Sequence, residues 1–176
     1  ALASMDDENT FGKNLFHRGF GWAVDNNLLT DYKVVVLMMD EQLVSDRVQR
    51  SFTEGAELEL DDATKMVGCY KALAKVGMND KKDGVTKDTA PMKRALAFCQ
   101  NIKSSQIFSS EFSNVVNEYI SNEDVSEENK TDLKVELFHV DGTFNAEQRN
   151  EKLNWLKDEV DENICRVLTN ARCLSE

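Results

Sequence analysis

Ile164-Cys165-Arg166-Val167-Leu168-Thr169-Asn170-Ala171-Arg172-Cys173-Leu174-Ser175-Glu176 closes the sequence. An apolar run that breaks into small and polar residues is how a buried parallel strand delivers backbone and side chains to a site at its C-terminal edge. Three earlier segments have the same character. Residues 32–39 (Tyr-Lys-Val-Val-Val-Leu-Met-Met) are β-branched and do not alternate, which reads as a strand apolar on both faces. Residues 94–99 (Arg-Ala-Leu-Ala-Phe-Cys) form a second buried strand just after Pro91. Residues 133–140 (Leu-Lys-Val-Glu-Leu-Phe-His-Val) form a third, turning at Asp141-Gly142, and residues 164–169 are the fourth.

Helical periodicity fills the gaps. Over residues 61–77, aspartates open a helix, Gly77 closes it, and Met66, Val67, Tyr70, Leu73 and Ala74 share one face. Phe108, Phe112, Val115, Val116 and Tyr119 line one side of the next helix, and Leu153, Leu156 and Val160 mark a third. A short helix is expected between Phe20 and Leu28. Residues 79–89 and the acidic stretch 121–132 lack apolar periodicity and read as loops. Strands alternating with helices through short turns predict right-handed crossovers and a parallel, three-layer α/β sheet with helices on both faces. Ligands of such sheets gather at the C-terminal strand edges. Those edges are Asp40 and Glu41, residues 100–105, residues 141–145, and residues 169–176.

The 176 residues suit a single core. A net charge of -11 excludes a broad DNA-coating surface, because non-specific nucleic-acid affinity comes mainly from Lys and Arg on phosphates, so any such contact is local. No apolar run approaches the roughly 20 residues that span a bilayer, and the first residues lack the marks of a secretory signal. Cys69, Cys99, Cys165 and Cys173 form no Cys-x-x-Cys pair, and with only His17 and His139 no zinc spacing arises. Reduced thiols in a cytoplasmic setting are the expectation.

Three helix or strand ends offer phosphate-sized sites. Asn101, Lys103, Ser104 and Ser105 stand beside unpaired amides at a helix start, a natural cradle for a backbone phosphate, although capping alone also explains Asn and Ser there. Gly142, Thr143 and Asn145 give a second such start, and Thr169, Asn170 and Arg172 a third. Sites in a row along one rim would track a strand backbone without reading its sequence. Other residues carry plainer readings. His139 has no nucleophile near it in sequence and is expected to be structural or solvent-facing. Trp22 and Trp155 could stack on bases, yet Trp155 lies beside an apolar stripe and suits packing. Lys81 and Lys82 are balanced by Asp80 and Asp83, as at a solvated loop tip. Asp40-Glu41 after an apolar strand imitates a magnesium-binding acidic box. No Gly-x-x-x-x-Gly-Lys-Ser/Thr phosphate loop accompanies it.

Read together, these edges resemble the second RecA-like lobe of superfamily 2 helicases, in particular the large bacterial helicases related to the motor subunits of type I and type III restriction enzymes. Residues 93–105 (Lys-Arg-Ala-Leu-Ala-Phe-Cys-Gln-Asn-Ile-Lys-Ser-Ser) look like helicase motif IV. Residues 141–149 (Asp-Gly-Thr-Phe-Asn-Ala-Glu-Gln-Arg) look like the segment after the next strand, with Ala146 where the family has the Gln of Gln-x-x-Arg. Residues 168–176 look like the first part of motif V; the family's Thr stands closer to the Gly-x-Asp that follows than Thr169 would, which puts Ala171 or Arg172 in that register. Residues 20–34 are similar to the passage from the first lobe into the second.

The resemblance implies residues 1–30 as the tail of the first lobe and linker, and residues 31–176 as a partial second lobe, ending within motif V. It implies DNA and the first lobe of the same parent as partners, with no membrane. Ser175 and Glu176 would lie near the nucleotide. ATP and magnesium would serve the full-length parent, while this chain alone binds neither, holds no catalytic residue and no metal, and does not hydrolyse ATP. The alternative is a stand-alone α/β protein-interaction module with an acidic surface.

Overall fold

The computed structural model describes residues 7–32, 34, 36, 60–76, 90–121 and 131–171. The chain divides into two units, Ala1–Val36 and Leu37–Glu176.

In the first unit, α1 (Glu8–Phe11) opens at Asp7, whose carboxylate accepts from Asn9 N. It stops at Gly12, where φ is +82°, a left-handed value that glycine reaches without Cβ strain. The expected short helix is α2 (Phe20–Asp25), and neither helix holds a buried residue. Phe16 and Trp22 meet edge-on, with the Arg18 guanidinium 5.2 Å and 5.4 Å from their rings. Of the strand expected over residues 32–39, Tyr32, Val34 and Val36 are exposed and lie outside any strand. β-branched residues favour a strand through neighbours that pack on them; Val34 and Val36 stand open to solvent, while Tyr32 meets the Phe20 ring edge-on at 6.1 Å. The rest of that run, with Asp40 and Glu41, lies outside the described residues, as do Gly77, the expected loop at 79–89 and residues 122–130.

The second unit carries the core. In α3 (Leu60–Ala74), Asp61 and Asp62 occupy the first turn, where carboxylates suit the positive end of the helix dipole, and Lys65 reaches back to Asp61 at 2.5 Å. Met66, Val67, Tyr70, Leu73 and Ala74 are buried together. The helix ends before Gly77, with Lys75 at φ +56°. In α4 (Ile102–Ser121) the buried Phe112, Val115, Val116 and Tyr119 recur every three or four residues and form the stripe that meets α3. Phe108 and Phe112 lie 5.1 Å apart, and the Tyr70 hydroxyl donates to Thr131 O at 3.0 Å. α5 (Ala146–Lys157) opens with a capping box between Asn145 and Gln148. It ends at Asp158, so Val160 lies beyond the helix whose stripe it was expected to join.

The sheet contains β1 (Arg94–Phe98), β2 (Lys134–Val140) and β3 (Ile164–Asn170), all parallel, in the order β1-β3-β2. α4 carries the chain from β1 past the position of β3 to β2, and α5 brings it back by one place. Right-handed crossovers that run in opposite directions must lie on opposite faces. Side-chain alternation agrees: Ala95, Ala97, Val135, Leu137, Cys165 and Val167 join the core under α3 and α4. On the other face, Trp155 of α5 packs edge-on against Phe138 at 4.5 Å, and Arg166 lies 5.0 Å from the Trp155 ring. Trp155 is therefore a packing residue. Helices on both faces of a parallel sheet are the expected class, with three strands among the described residues.

β1 is not buried on both faces: Leu96 and Phe98 are 46% and 60% exposed. α5 packs on β2 and β3, and β1, the outer strand among the described residues, meets the end of α5 through Arg94, which donates to Lys157 O at 2.8 Å. Among the described residues no helix is long and apolar enough to cross a membrane.

Candidate nucleic-acid interface

Strand register sets the rim. Phe98 and Val140 both pair with Asn170, so the three strands end level and their following segments leave the sheet on one side. The β1 exit turns into α4 on one face and the β2 exit turns toward α5 on the other. Diverging exits leave the end of β3, between them, as the floor of a crevice.

A buried polar chain ties these segments together. Ser105 Oγ lies 2.7 Å from His139 Nδ1 and donates to Thr169 Oγ1 at 2.9 Å, and Thr169 Oγ1 donates back to Ser105 O at 3.1 Å. His139 Nε2 lies 2.9 Å from Asp141 Oδ2, and Asp141 Oδ1 accepts from Thr143 N at 2.8 Å and from Thr143 Oγ1 at 2.6 Å. Parallel register supplies the meeting point, because His139 and Thr169 are paired residues of neighbouring strands, both turned toward the first turn of α4. The Thr143 hydroxyl, then the His139 ring, then the Thr143 amide hold the Asp141 carboxyl well below its usual range, at about 2.

The order Ser–His–Asp matches a hydrolytic triad, but the chemistry does not. A nucleophile must face substrate. Ser105 and Thr169 are each 0% exposed. The chain of contacts instead locks the start of α4, the end of β3 and the 141–145 turn into one piece. His139, expected to be structural or solvent-facing, is the structural centre of this lock. Its partners were missed because Ser105 is remote in sequence and only the crossover brings it near. The spacing His139-x-Asp141-x-Thr143 was the local signal.

The structure sorts the expected strand-contacting residues into two layers. Ser105, Thr169 and Asn170 are fully buried, so they support the rim and do not present themselves to a ligand. Asn170 Nδ2 donates to Ala97 O at 3.4 Å, while its Oδ1 has no partner. Asn101, Lys103, Gly142, Thr143 and Asn145 are exposed, and Ser104 is half-buried. Asn101 Oδ1 accepts from Ser104 N at 2.8 Å, which is an N-cap, and Asn145 is likewise engaged with Gln148. Gly142 has open space around it and no left-handed φ, so its turn does not require glycine. Arg172, Ser175 and Glu176 lie outside the described residues.

The Asp141 carboxyl sets a pH dependence. Its folded pKa is depressed from 3.8 to about 2, so its stabilising contribution is present above pH 3.8 and fades as pH falls toward 2. The expected loss over that window is on the order of 2 kcal/mol. Acid titration of unfolding by urea, compared with Asp141→Asn, isolates it from the other carboxylates: the wild type should lose more stability than the variant. Parallel curves would show that Asp141 is not specially held.

The chain is similar to part of an ATP-dependent Type ISP restriction-modification enzyme, LlaBIII, in a structure bound to DNA. Identity is 38% and the TM-score 0.76, over 99% of this chain and 11% of that enzyme. This chain thus spans about a tenth of the length of that protein. No protein-family model and no curated protein matches it.

Proposed function

We propose that this chain is the second RecA-like lobe, in part, of an ATP-dependent DNA helicase or translocase of superfamily 2. The observation that carries this reading is the level rim of three parallel strands, with two helix starts aimed at one edge, in a chain 38% identical to a segment of a DNA-bound, ATP-dependent enzyme. The exposed layer, Asn101, Lys103, Ser104, Gly142, Thr143 and Asn145, grips the phosphate backbone. The buried layer, Ser105, Thr169 and Asn170, fixes where those groups stand. Arg172 extends the grip, and Ser175 and Glu176 approach the nucleotide held between this lobe and the first lobe of the parent.

ATP and magnesium belong to that longer protein. The sequence has no phosphate loop, and among the described residues no three His, Cys, Asp or Glu side chains converge on a metal-sized point. In this reading the work of the chain itself is to hold and orient the strand.

Two measurements test the reading. The purified chain should not hydrolyse ATP; a motor-like rate would overturn the assignment. Its affinity for a single-stranded oligodeoxynucleotide should fall with salt, and Lys103→Ala should lower the slope of log affinity against log salt by about 0.7, one phosphate contact on a single strand. An unchanged slope removes Lys103 from the grip.

A further inference from the structure

Beside the rim, a cavity of about 380 Å³ opens between α3, the end of β1 and the first two turns of α4. Its volume falls within the range of roughly 300–1,000 Å³ usual for small-molecule sites. Met66, Ile107 and Phe108 form its walls together with the thiols of Cys69 and Cys99. Burial pushes both thiols up, so they stay protonated and act as soft apolar surface. The polar groups on its lining are Asp62, Lys65, Gln100 and Ser104, with Lys65 Nζ 3.7 Å from Asp62 Oδ1.

Ser104 belongs at once to this cavity and to the exposed layer of the rim. A ligand whose anionic part rests at the start of α4 would therefore have its next few ångströms over the opening. We infer that the cavity is a base pocket, taking one unstacked nucleobase of a strand held on the rim. The flat face of a base suits the apolar walls, and its polar edge meets the Gln100 amide and the Asp62 carboxylate, which can accept from an exocyclic amine. The inference rests on the backbone grip proposed above. A free mononucleotide offers the same chemistry, and the test separates the two sources.

The experiment uses the whole 176-residue chain. Single-stranded oligodeoxynucleotides are compared with abasic ones of the same length, and dAMP is compared with 2-deoxyribose 5-phosphate by NMR. Intact bases should bind about tenfold tighter than abasic strands, the size of one base-stacking contact. Gln100→Ala and the pocket-filling Cys69→Phe should erase that advantage and leave abasic affinity unchanged. Gln100 is exposed, so its variant keeps the test valid if Cys69→Phe fails to fold. Equal affinity for intact and abasic strands, with no response of Met66, Ile107 and Phe108 to dAMP, overturns the pocket while the backbone grip stands. If no oligonucleotide binds but dAMP shifts those residues, the grip falls and the pocket holds as a mononucleotide site.

Discussion

Replacing Asp141 with Ala lowers the stability of the chain by about 3 kcal/mol, the scale for breaking a buried, charge-assisted hydrogen-bond cluster. Asp141 is 3% exposed, and its carboxylate meets His139 Nε2 and accepts from Thr143 N and Thr143 Oγ1. Removing it leaves the largely buried imidazole of His139 and the Thr143 hydroxyl without this acceptor. The ring of His139 then loses its orientation against Ser105, and the start of α4 loses its tie to the 141–145 turn. Urea unfolding should show a lower midpoint with an unchanged slope. His139→Ala should cost a similar amount, and the double variant much less than the sum, because both substitutions break one network. Additive losses would mean that the rim is assembled from independent contacts. Salt-dependent DNA binding of Asp141→Ala, measured where the variant is still folded, should weaken through disorder of Thr143 and Asn145.

The buried stripe of α4 was legible because Phe112, Val115, Val116 and Tyr119 repeat at the helical period, and the parallel class followed from strand-helix alternation. Burial of a given strand was harder to read. Leu96 and Phe98 have the apolar character of a two-sided core strand, yet the strand order β1-β3-β2 places them on the outer strand among the described residues, away from the packing of α5 on β2 and β3. Strand order is a non-local property, fixed by which crossover returns to which neighbour, and apolar content carries no record of it. The site shows the same division. Asn101 and Asn145 announce helix starts locally, and both are caps. That Ser105 and Thr169 lie beneath the surface follows only once α4 is laid on the sheet, where the two hydroxyls face each other at 2.9 Å. Lys75 shows the smaller scale of the same effect: with φ +56° it follows the last helical residue, Ala74, two positions before the Gly77 expected to close the helix.

Phe112→Ala should be the costliest single truncation in the core, about 4 kcal/mol for a buried aromatic whose site cannot collapse. Phe112 is 1% exposed and stacks on Phe108 at 5.1 Å, between α3 on one side and the sheet on the other. α3 is joined to the rest mainly through α4, so the void falls where two elements depend on each other. Relaxation is restricted as well. Met92 N donates to Leu73 O at 2.8 Å and Tyr70 to Thr131 O at 3.0 Å, pinning α3 at both sides of the gap. Phe112→Leu, which keeps most of the volume, should cost well under half as much. The rim lies about two turns away along α4, and its polar lock does not include Phe112. The folded fraction of Phe112→Ala should therefore bind single strands with wild-type affinity and salt slope, unlike Asp141→Ala. Thermal unfolding followed by circular dichroism, with binding measured well below the midpoint, separates the two variants. A Phe112→Ala protein that is stable yet fails to bind would show that α3 and α4 packing, and not the buried polar chain, holds the rim in place.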